Sequence, residues 1–362
     1  MEKMARRASR QRRALSLFGR EMLSTFTIEP PDVNWRQVQK RSCHLNIVTP
    51  VRTWRVPIWI CCDRPNDPFL LLIGGQHGDE YQGCGILLEF LQTQWGRLHG
   101  NVIVIPEVNP PALEAGTRTS PLDGGNLNRA FPGRTGGTIT EAIAHFISTE
   151  ILPLVDFVVD IHSGGGALEV PPSVMTHYLP IAETFRETLS AMRATELPVS
   201  IVVDEGHKDG MLDTLVESQG KPFLCVEMGG GHLQARDIRL GLRMVENLIA
   251  RRNPEMVAQH VADRPSVAPL LLEVPGPGHY VRASAGGLFF PAVAAGDTIR
   301  RGQTIGRLYP RDPTPGDSAV SITAPLDGVV YVVRVSVRVE PGDDLIIVAA
   351  PAHAALAGMW GT

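Results

Sequence analysis

The chain has 362 residues, of which 43% are hydrophobic and 20% are charged, and its net charge is −4. This composition predicts a packed globular protein with one large and one smaller domain, and it excludes an extensively disordered chain. A sequence pI of about 6.3 argues against a nucleic-acid partner, because such proteins usually present a strongly basic domain. No apolar run reaches the ~18 residues that span a bilayer, so no membrane partner is expected.

Residues 1–44 are predicted to be an N-terminal extension that is partly basic and frayed. Residues 1–20 hold seven lysine and arginine residues against one glutamate, and they lack the apolar core of a secretory signal. An organelle transit peptide is the alternative interpretation of this segment. The five cysteines show no CxxC spacing and are expected to be free, buried thiols in a reducing compartment. We therefore predict a cytoplasmic protein.

Residues 45–262 alternate short apolar runs with segments of helical periodicity, which predicts an α/β domain. The runs are bounded by Gly or Pro and are too short for helices, so we expect buried strands at Phe69–Ile73, Asn101–Pro106, Asp156–Ile161 and Phe223–Val226. The helical spacing of apolar positions predicts helices at Gly85–Trp95, Thr140–Ile151, Ile181–Thr195 and Arg236–Arg252. Ligands of open α/β sheets bind beyond the carboxyl ends of the strands, so polar residues at those ends are candidate functional residues.

Residues 263–362 change in character after Asn253-Pro254, which ends the last predicted helix. Short Val/Ile-rich runs separated by Gly, Pro and Asp predict a small β-barrel or sandwich. Similar paired hairpins occur in biotin and lipoyl carrier domains, which need an attachment lysine at a hairpin tip. No lysine follows Lys221, so the carrier function is excluded.

Two histidines and one glutamate follow predicted strands at positions that suit a metal ion. His77 and Glu80 stand in His-Gly-Asp-Glu after one strand and a glycine turn, and His162 follows another strand before Ser-Gly-Gly-Gly. Imidazole nitrogens and carboxylate oxygens are ligands of Zn²⁺, and the His-x-x-Glu spacing lets both side chains reach one ion. We therefore expect one zinc ion per chain on these three residues.

Three further residues are candidates for binding and polarising a substrate. Asn128 and Arg129 offer a carboxamide and a planar guanidinium, which together suit a carboxylate. Arg118 can polarise a scissile carbonyl and stabilise the oxyanion that forms from it. Arg134, near a Pro-Gly turn, is expected to be merely solvated.

Glu227 directly follows the predicted strand at 223–226, and three glycines come shortly after it. A charged residue in that place is costly unless it has a function or a partner, and it suits a general base that deprotonates water. His232 follows the glycines, but catalytic zinc commonly uses three protein ligands and an open position. We therefore leave His232 outside the ligand set.

Six segments of the chain together resemble those of the succinylglutamate desuccinylase/aspartoacylase family: H-G-D-E, N-P, R, N-L-N-R-x-F-P-G, D-x-H-S-G-G and E-x-G-G. The resemblance is specific from about residue 69 to residue 231 and looser through the C-terminal β segment. It implies a metallocarboxypeptidase-like α/β/α sandwich with a mixed sheet, followed by a smaller C-terminal all-β domain. Residues 45–262 would then be a zinc hydrolase domain and residues 263–362 a β domain.

The resemblance also implies a role for each candidate residue: His77, Glu80 and His162 hold zinc, Glu227 activates water, Arg118 polarises the carbonyl, and Asn128 and Arg129 bind the substrate carboxylate. The protein would be a zinc-dependent amidohydrolase that removes an acyl group, expected to be acetyl, from a small N-acyl amino acid. Carboxypeptidase-like proteins often have an aspartate, which orients a ligand histidine, where this chain has Asn126. Asp160 is a candidate for that role instead, because it shares a strand face with His162.

Two other functions stay open at this point. A metallocarboxypeptidase that acts on peptides would use the same zinc site, although a β domain at the mouth would restrict large substrates. A non-enzymatic binding protein on a relict hydrolase fold would require a lost ligand or base, and none is lost here. The sequence also leaves open a homo-oligomer, and it does not identify the acyl group or the amine.

Overall fold

A computed structural model describes residues 25–31, 33–49, 52–204, 206, 208–253, 269–311 and 318–361. The most basic part of the predicted N-terminal extension, residues 1–24, therefore lies outside the described residues. So does the predicted domain boundary at residue 263. None of the described helices combines the length and the apolar character needed to cross a membrane. The five cysteines are buried and free, as predicted.

The first ten strands form most of the central sheet: β1 (Thr25–Glu29), β2 (Gln39–Val48), β3 (Thr53–Cys62), β4 (Phe69–Gly74), β5 (Val102–Ile105), β6 (Val155–His162), β7 (Leu168–Glu169), β8 (Ser173–His177), β9 (Val199–Val203) and β10 (Phe223–Glu227). The helices between and after them are α1 (Tyr81–Gln94), α2 (Pro110–Ala115), α3 (Ile139–Phe146), α4 (Ala182–Ala194), α5 (Leu212–Ser218) and α6 (Ala235–Arg252). The four predicted strands and four predicted helices of this region are all confirmed. The predicted helix at 140–151 divides, because a π-helical turn at Ile147–Ile151 follows α3.

The large sheet is mixed, and its strand order begins β1-β2-β3-β5-β4-β6-β10-β8-β9. Its centre is parallel, since β4 pairs with β5 and β6 in that sense and β10 pairs with β6. On its flanks β3 runs antiparallel to β5, and β8 runs antiparallel to β10. The carboxyl ends of β4, β6 and β10 therefore meet at one edge, which is where the candidate residues were predicted.

Side chains of β4 alternate between the two faces of the sheet. Leu71 and Ile73 belong to a core that also contains residues of α3 and α5, whereas Leu70 and Leu72 belong to a second core with α1, α4 and α6. Buried aliphatic side chains on both faces are typical of a sheet covered by helices on each side. The predicted α/β/α sandwich with a mixed sheet is thereby confirmed.

The C-terminal region is built of short strands and one helix: β11 (Leu270–Val274), β12 (Tyr280–Arg282), β13 (Gly287–Pro291), β14 (Thr298–Ile299), β15 (Thr304–Pro310), β16 (Val320–Thr323), β17 (Gly328–Arg334), β18 (Arg338–Val339), β19 (Asp344–Pro351) and α7 (Ala354–Gly361). A separate sheet has the order β16-β15-β13-β18, and a core around Phe289 and Ile346 fills the space beside it. The predicted smaller all-β unit is confirmed.

Pairing between strands links the two regions closely. β11 lies parallel to β9 and antiparallel to β19, so the central sheet continues into the C-terminal strands. α7 returns to the helical layer, where Leu356 joins the core of α4 and α6. At the other end, β2 spans the predicted boundary at residue 45 and pairs along its length with β3. The division into 1–44, 45–262 and 263–362 stays a prediction.

Candidate active site

His77, Glu80 and His162 lie together at the carboxyl ends of β4 and β6. All three are buried, and one ligand atom from each lies within 4.8 Å of the others. The turn between His77 and Glu80 passes very close to α2, since a Cβ added at Gly78 would lie 1.9 Å from the carbonyl carbon of Ala112. Only glycine fits there, so this residue is required for the turn that brings His77 and Glu80 to one point.

The Glu80 carboxylate is at the centre of the cluster. Its Oε1 lies 2.8 Å from His77 Nδ1, and its Oε2 lies 2.8 Å from His162 Nδ1. Arg118 donates a hydrogen bond of 2.8 Å to Oε1, and the backbone N–H of Ser163 donates one of 3.3 Å to Oε2. Arg118 is half-exposed while Glu80 is buried, so the guanidinium reaches the cluster from its open side.

Each histidine has its own orienting partner on the side away from Glu80. His77 Nε2 lies 3.2 Å from Asn126 Oδ1, and His162 Nε2 lies 2.8 Å from Asp160 Oδ2. Gln76 donates a further hydrogen bond to that Asp160 oxygen. The sequence left Asn126 and Asp160 as alternatives, whereas in the structure each of them contacts a different histidine.

The donor atoms of this cluster fit a metal ion. When the Nε2–H groups donate to Asn126 and Asp160, both Nδ1 lone pairs face the Glu80 oxygens. His77 Nδ1 is buried and has no hydrogen-bond partner in the described part of the chain, although Glu80 Oε1 is 2.8 Å away. Electron pairs that converge in this way repel one another unless a proton or a metal ion lies between them. Two imidazoles and one carboxylate are a donor set of catalytic zinc.

The two histidines differ in their electrostatics. Burial lowers the pKa of His77, and Glu80 offsets this only in part. Burial also disfavours charged His162, but the carboxylates of Asp160 and Glu80 flank its ring and raise its pKa well above the ordinary value. Burial disfavours charged Glu80 as well, yet His162 and His77 outweigh it and lower the pKa of Glu80. Without a cation the cluster therefore retains a proton on His162, which a metal must displace.

Glu227 ends β10 directly beside His162, its register partner on β6. Its Oε2 is buried and has no hydrogen-bond partner in the described part of the chain. Burial and the nearby Glu80 charge raise the pKa of Glu227 to about 8. A carboxylate with a pKa near neutrality, next to a metal-binding cluster, is suited to accept and return a proton.

Asn128 and Arg129 line the same cavity of about 650 Å³ as the cluster, Arg118 and Glu227. Asn128 is buried, and its Oδ1 accepts a 2.9 Å hydrogen bond from the backbone of Leu212. Arg129 is exposed, and its guanidinium donates to the Asn128 carbonyl. The structure thus brings all seven predicted site residues to one cavity.

His232 and Arg134, which the sequence does not assign to the site, lie outside it in the structure. His232 is exposed and is not a member of the ligand cluster. Arg134 does not line the cavity either. The expectation that Arg134 is merely solvated was wrong, because it forms a 2.8 Å ion pair with Glu141, which lies on the first turn of α3. This pair is largely exposed and is expected to contribute little to stability.

The C-terminal strands form one wall of the cavity, at the mouth where the sequence predicts a β domain without identifying the residues that line it. Tyr280, Tyr331 and Ile347 line it from β12, β17 and β19. Tyr331 is buried with its hydroxyl 3.1 Å from Ser173 Oγ on β8, and β17 also pairs with β7. These contacts join residues more than 150 positions apart, so no local pattern could have predicted them.

The fold and this site define a class of protein. The chain belongs to the succinylglutamate desuccinylase/aspartoacylase family, because residues 66–252 match the model of the family's catalytic domain. A curated relative from Halomonas elongata, N-alpha-acetyl-L-2,4-diaminobutyric acid deacetylase, is 37% identical over 288 residues, which cover 79% of this chain and 83% of the relative. Within the family, the segments G-G-x-H-G-D-E-Y-x-G and R-T-S-P-x-D-x-G-N-L-N-R are similar to those of N-acetyl-diaminobutyrate deacetylases, and this resemblance is confirmed.

Solved structures give the same assignment. The product-bound ectoine utilization protein EutE (DoeB) from Ruegeria pomeroyi superposes with a TM-score of 0.80 at 29% identity, covering 90% of this chain and 98% of its own. A succinylglutamate desuccinylase/aspartoacylase from Rhodobacter sphaeroides has a TM-score of 0.80 at 28% identity, covering 89% and 98%. The similarity extends through the C-terminal strands, as the high coverage requires.

Proposed function

We propose that the protein is a zinc-dependent deacylase that removes an acetyl group from a small N-acyl amino acid. The observation that supports this most directly is the single cavity that contains a His-Glu-His cluster, the unpartnered carboxylate of Glu227, and two arginines. The relative from H. elongata is named as a deacetylase, which supports acetyl as the acyl group. His77, Glu80 and His162 are the residues that would hold the ion.

A zinc ion, when bound, supplies a Lewis acid that lowers the pKa of water and polarises a carbonyl oxygen. Glu227 takes the proton from the attacking water and later delivers it to the leaving amine, for which a pKa near neutrality is well suited. Arg118 donates hydrogen bonds to the oxyanion that develops on the carbonyl oxygen. Asn126 and Asp160 hold the two histidine rings in the orientation that directs Nδ1 toward the ion.

Arg129 and Asn128 bind the carboxylate of the substrate in this proposal. The guanidinium can make two parallel hydrogen bonds to a carboxylate, and the Asn128 side chain adds a donor beside it. Asn128 is fixed by its bond to Leu212, so the carboxylate would be held at a set distance from the cluster. The amide carbonyl of a short N-acyl amino acid would then lie near His77, Glu80 and His162, the residues that would hold the ion.

A peptidase acting on long peptides is the alternative. The cavity of about 650 Å³ lies in the range of small-molecule sites, and Tyr280 and Tyr331 close one side of it. That wall restricts an extended peptide on one side of the cavity, so the geometry favours short substrates.

A substrate panel tests the proposal. Purified enzyme loaded with zinc is expected to release free amine from N-acetyl amino acids with kcat/KM at least about 10²-fold above that for tripeptides. Amine release is followed with a fluorogenic amine reagent, and the enzyme treated with a chelator is the control. Equal or faster cleavage of the tripeptides would favour the peptidase.

The two arginines should give different kinetic defects. Arg129→Lys keeps the charge but loses the planar fork, so it is expected to raise KM about 10-fold with little change in kcat. Arg118→Ala is expected to lower kcat by about 10²-fold, because its hydrogen bonds strengthen in the transition state. Steady-state kinetics on one N-acetyl amino acid separate the two. A substrate whose carboxylate is replaced by carboxamide should be a poor substrate for wild type, and Arg129→Ala should lose that discrimination.

A further inference from the structure

Asp213 is a buried carboxylate on the cavity wall that the mechanism above does not use. It lies in the first turn of α5, its side chain is only 4% exposed, and it lines the same cavity as Glu227 and Arg129. Burial is the main cause of the raised pKa of the Cys225 thiol on β10, and the charges of Glu227, Asp160 and Asp213 raise it further.

One oxygen of Asp213 lacks a protein partner. Oδ1 accepts hydrogen bonds from the backbone N–H and the hydroxyl of Thr214. Oδ2 has no hydrogen bond or ion pair with any described residue. A buried carboxylate is costly without a cation, so the free oxygen is a strong acceptor for a positive group in the cavity.

The arginines of the cavity have other partners. Arg118 pairs with Glu80, Arg282 pairs with Asp344 at 2.8 Å, and Arg129 donates to the backbone of Asn128. None of the described cationic residues forms an ion pair with Asp213. Lys208 also lines the cavity, and it has an interaction partner other than Asp213. A ligand can therefore supply the cation for this carboxylate.

Asp213 is held at a fixed position relative to the proposed carboxylate-binding pair. The backbone N–H of Leu212, the preceding residue, donates to Asn128 Oδ1, and Phe131 N–H donates to the Gly210 carbonyl at 3.0 Å. The segments 128–131 and 210–213 thus run against each other. Segment 128–131 presents the Arg129 guanidinium to the cavity, and segment 210–213 presents the Asp213 carboxylate. A ligand that carries both a carboxylate and an ammonium group would match these two charges.

We infer that Asp213 binds the ammonium group on the side chain of a diamino-acid substrate, so that the enzyme prefers N-acyl amino acids with a cationic side chain. This inference rests on the proposed deacylase function. An ammonium is a compact charge with three donors, and it can reach one buried carboxylate oxygen without the planar match that a guanidinium needs. The relative from H. elongata is named for a diamino-acid substrate, which agrees with this chemistry.

A matched substrate pair tests the inference. Nα-acetyl-2,4-diaminobutyrate and N-acetylnorvaline differ in a terminal ammonium against a methyl group of similar size. The zinc-loaded wild type is expected to prefer the first, and Asp213→Asn is expected to reduce the ratio of the two kcat/KM values by about 30-fold or more, as for a lost buried ion pair. Asp213→Glu should restore part of the ratio. A merely structural role in α5 would lower both values together and leave the ratio unchanged.

Two further variants and a melting curve complete the experiment. Asp204→Asn alters an exposed acid on the same cavity, and Asp156→Asn alters an acid paired with Arg252 at the opposite end of β6. Both should keep the ratio, and thermal melting should show that Asp213→Asn is folded. The inference is overturned if wild type lacks the preference while hydrolysing N-acetylnorvaline, or if Asp204→Asn abolishes the preference instead. Failure to hydrolyse either substrate would contradict the deacylase function itself.

Discussion

Glu227→Gln is expected to lower kcat by about 10²-fold or more while leaving the metal content unchanged. Glutamine keeps the volume of the side chain at the end of β10 but cannot accept a proton from water. Glu227 is not one of the three clustered ligand residues, so the substitution removes none of them. The measurement is steady-state kcat on an N-acetyl amino acid, with zinc determined by elemental analysis of the same preparation.

The same substitution should alter the pH dependence of stability in the metal-free protein. In the folded chain the pKa of Glu227 is raised to about 8 by burial and by Glu80, whereas an unfolded chain ionises near its ordinary value of 4.5. Deprotonation therefore penalises the folded state as pH rises from about 4.5 to 8. Glutamine avoids this penalty, so the Tm of Glu227→Gln should equal that of wild type near pH 4.5 and exceed it increasingly up to pH 8.

Glu217→Gln is the matched control for this experiment. Glu217 is also buried enough for its pKa to be raised, but it pairs with His177 and does not line the cavity. Its replacement should leave kcat near the wild-type value. If Glu227→Gln turned over substrate at the wild-type rate, Glu227 would have a structural role and another group would have to take the proton.

The metal site could be predicted from the sequence because it depends on neighbouring parallel strands. His77 and His162 follow runs that are apolar enough to be recognised as buried strands, and parallel strands bring their carboxyl ends to one edge. The His-x-x-Glu spacing then identifies Glu80 as the third predicted ligand. What the sequence did not determine was which residue orients which histidine, because Asn126 lies in an irregular loop whose path depends on tertiary contacts.

Other parts of the fold and of the site were not predictable for related reasons. β2 alternates buried and exposed residues and begins with Gln39, Lys40 and Arg41, so its polar start reads as an extension although it pairs fully with β3. Asp213 reads as an ordinary acidic residue in the first turn of a helix. Its burial beside Asn128 and the cavity wall formed by Tyr331 both arise from packing between distant segments, which no local periodicity encodes.

His77→Ala and His162→Ala are expected to lose the metal and nearly all activity. Each substitution removes one of the three donors, and a site with two protein ligands should not retain zinc through dialysis. We expect bound zinc to fall from about one per chain to near zero, and kcat/KM to fall by at least about 10³-fold, since the metal supplies several kcal/mol of transition-state stabilisation. Bound zinc is measured by elemental analysis, and kcat/KM is measured by steady-state kinetics on the same samples.

Variants of the orienting residues should give a graded result. Asp160→Asn and Asn126→Ala keep all three ligands and should weaken zinc affinity by about 10- to 100-fold, measured by competition with a chromogenic chelator. Asp160→Asn should have the larger effect, because the carboxylate is charged and lies closer to its histidine, 2.8 Å against 3.2 Å for Asn126. His232→Ala is the control and should keep full zinc occupancy. Full occupancy in His77→Ala or in His162→Ala would remove that histidine from the ligand set, and loss of zinc in His232→Ala would add a fourth ligand.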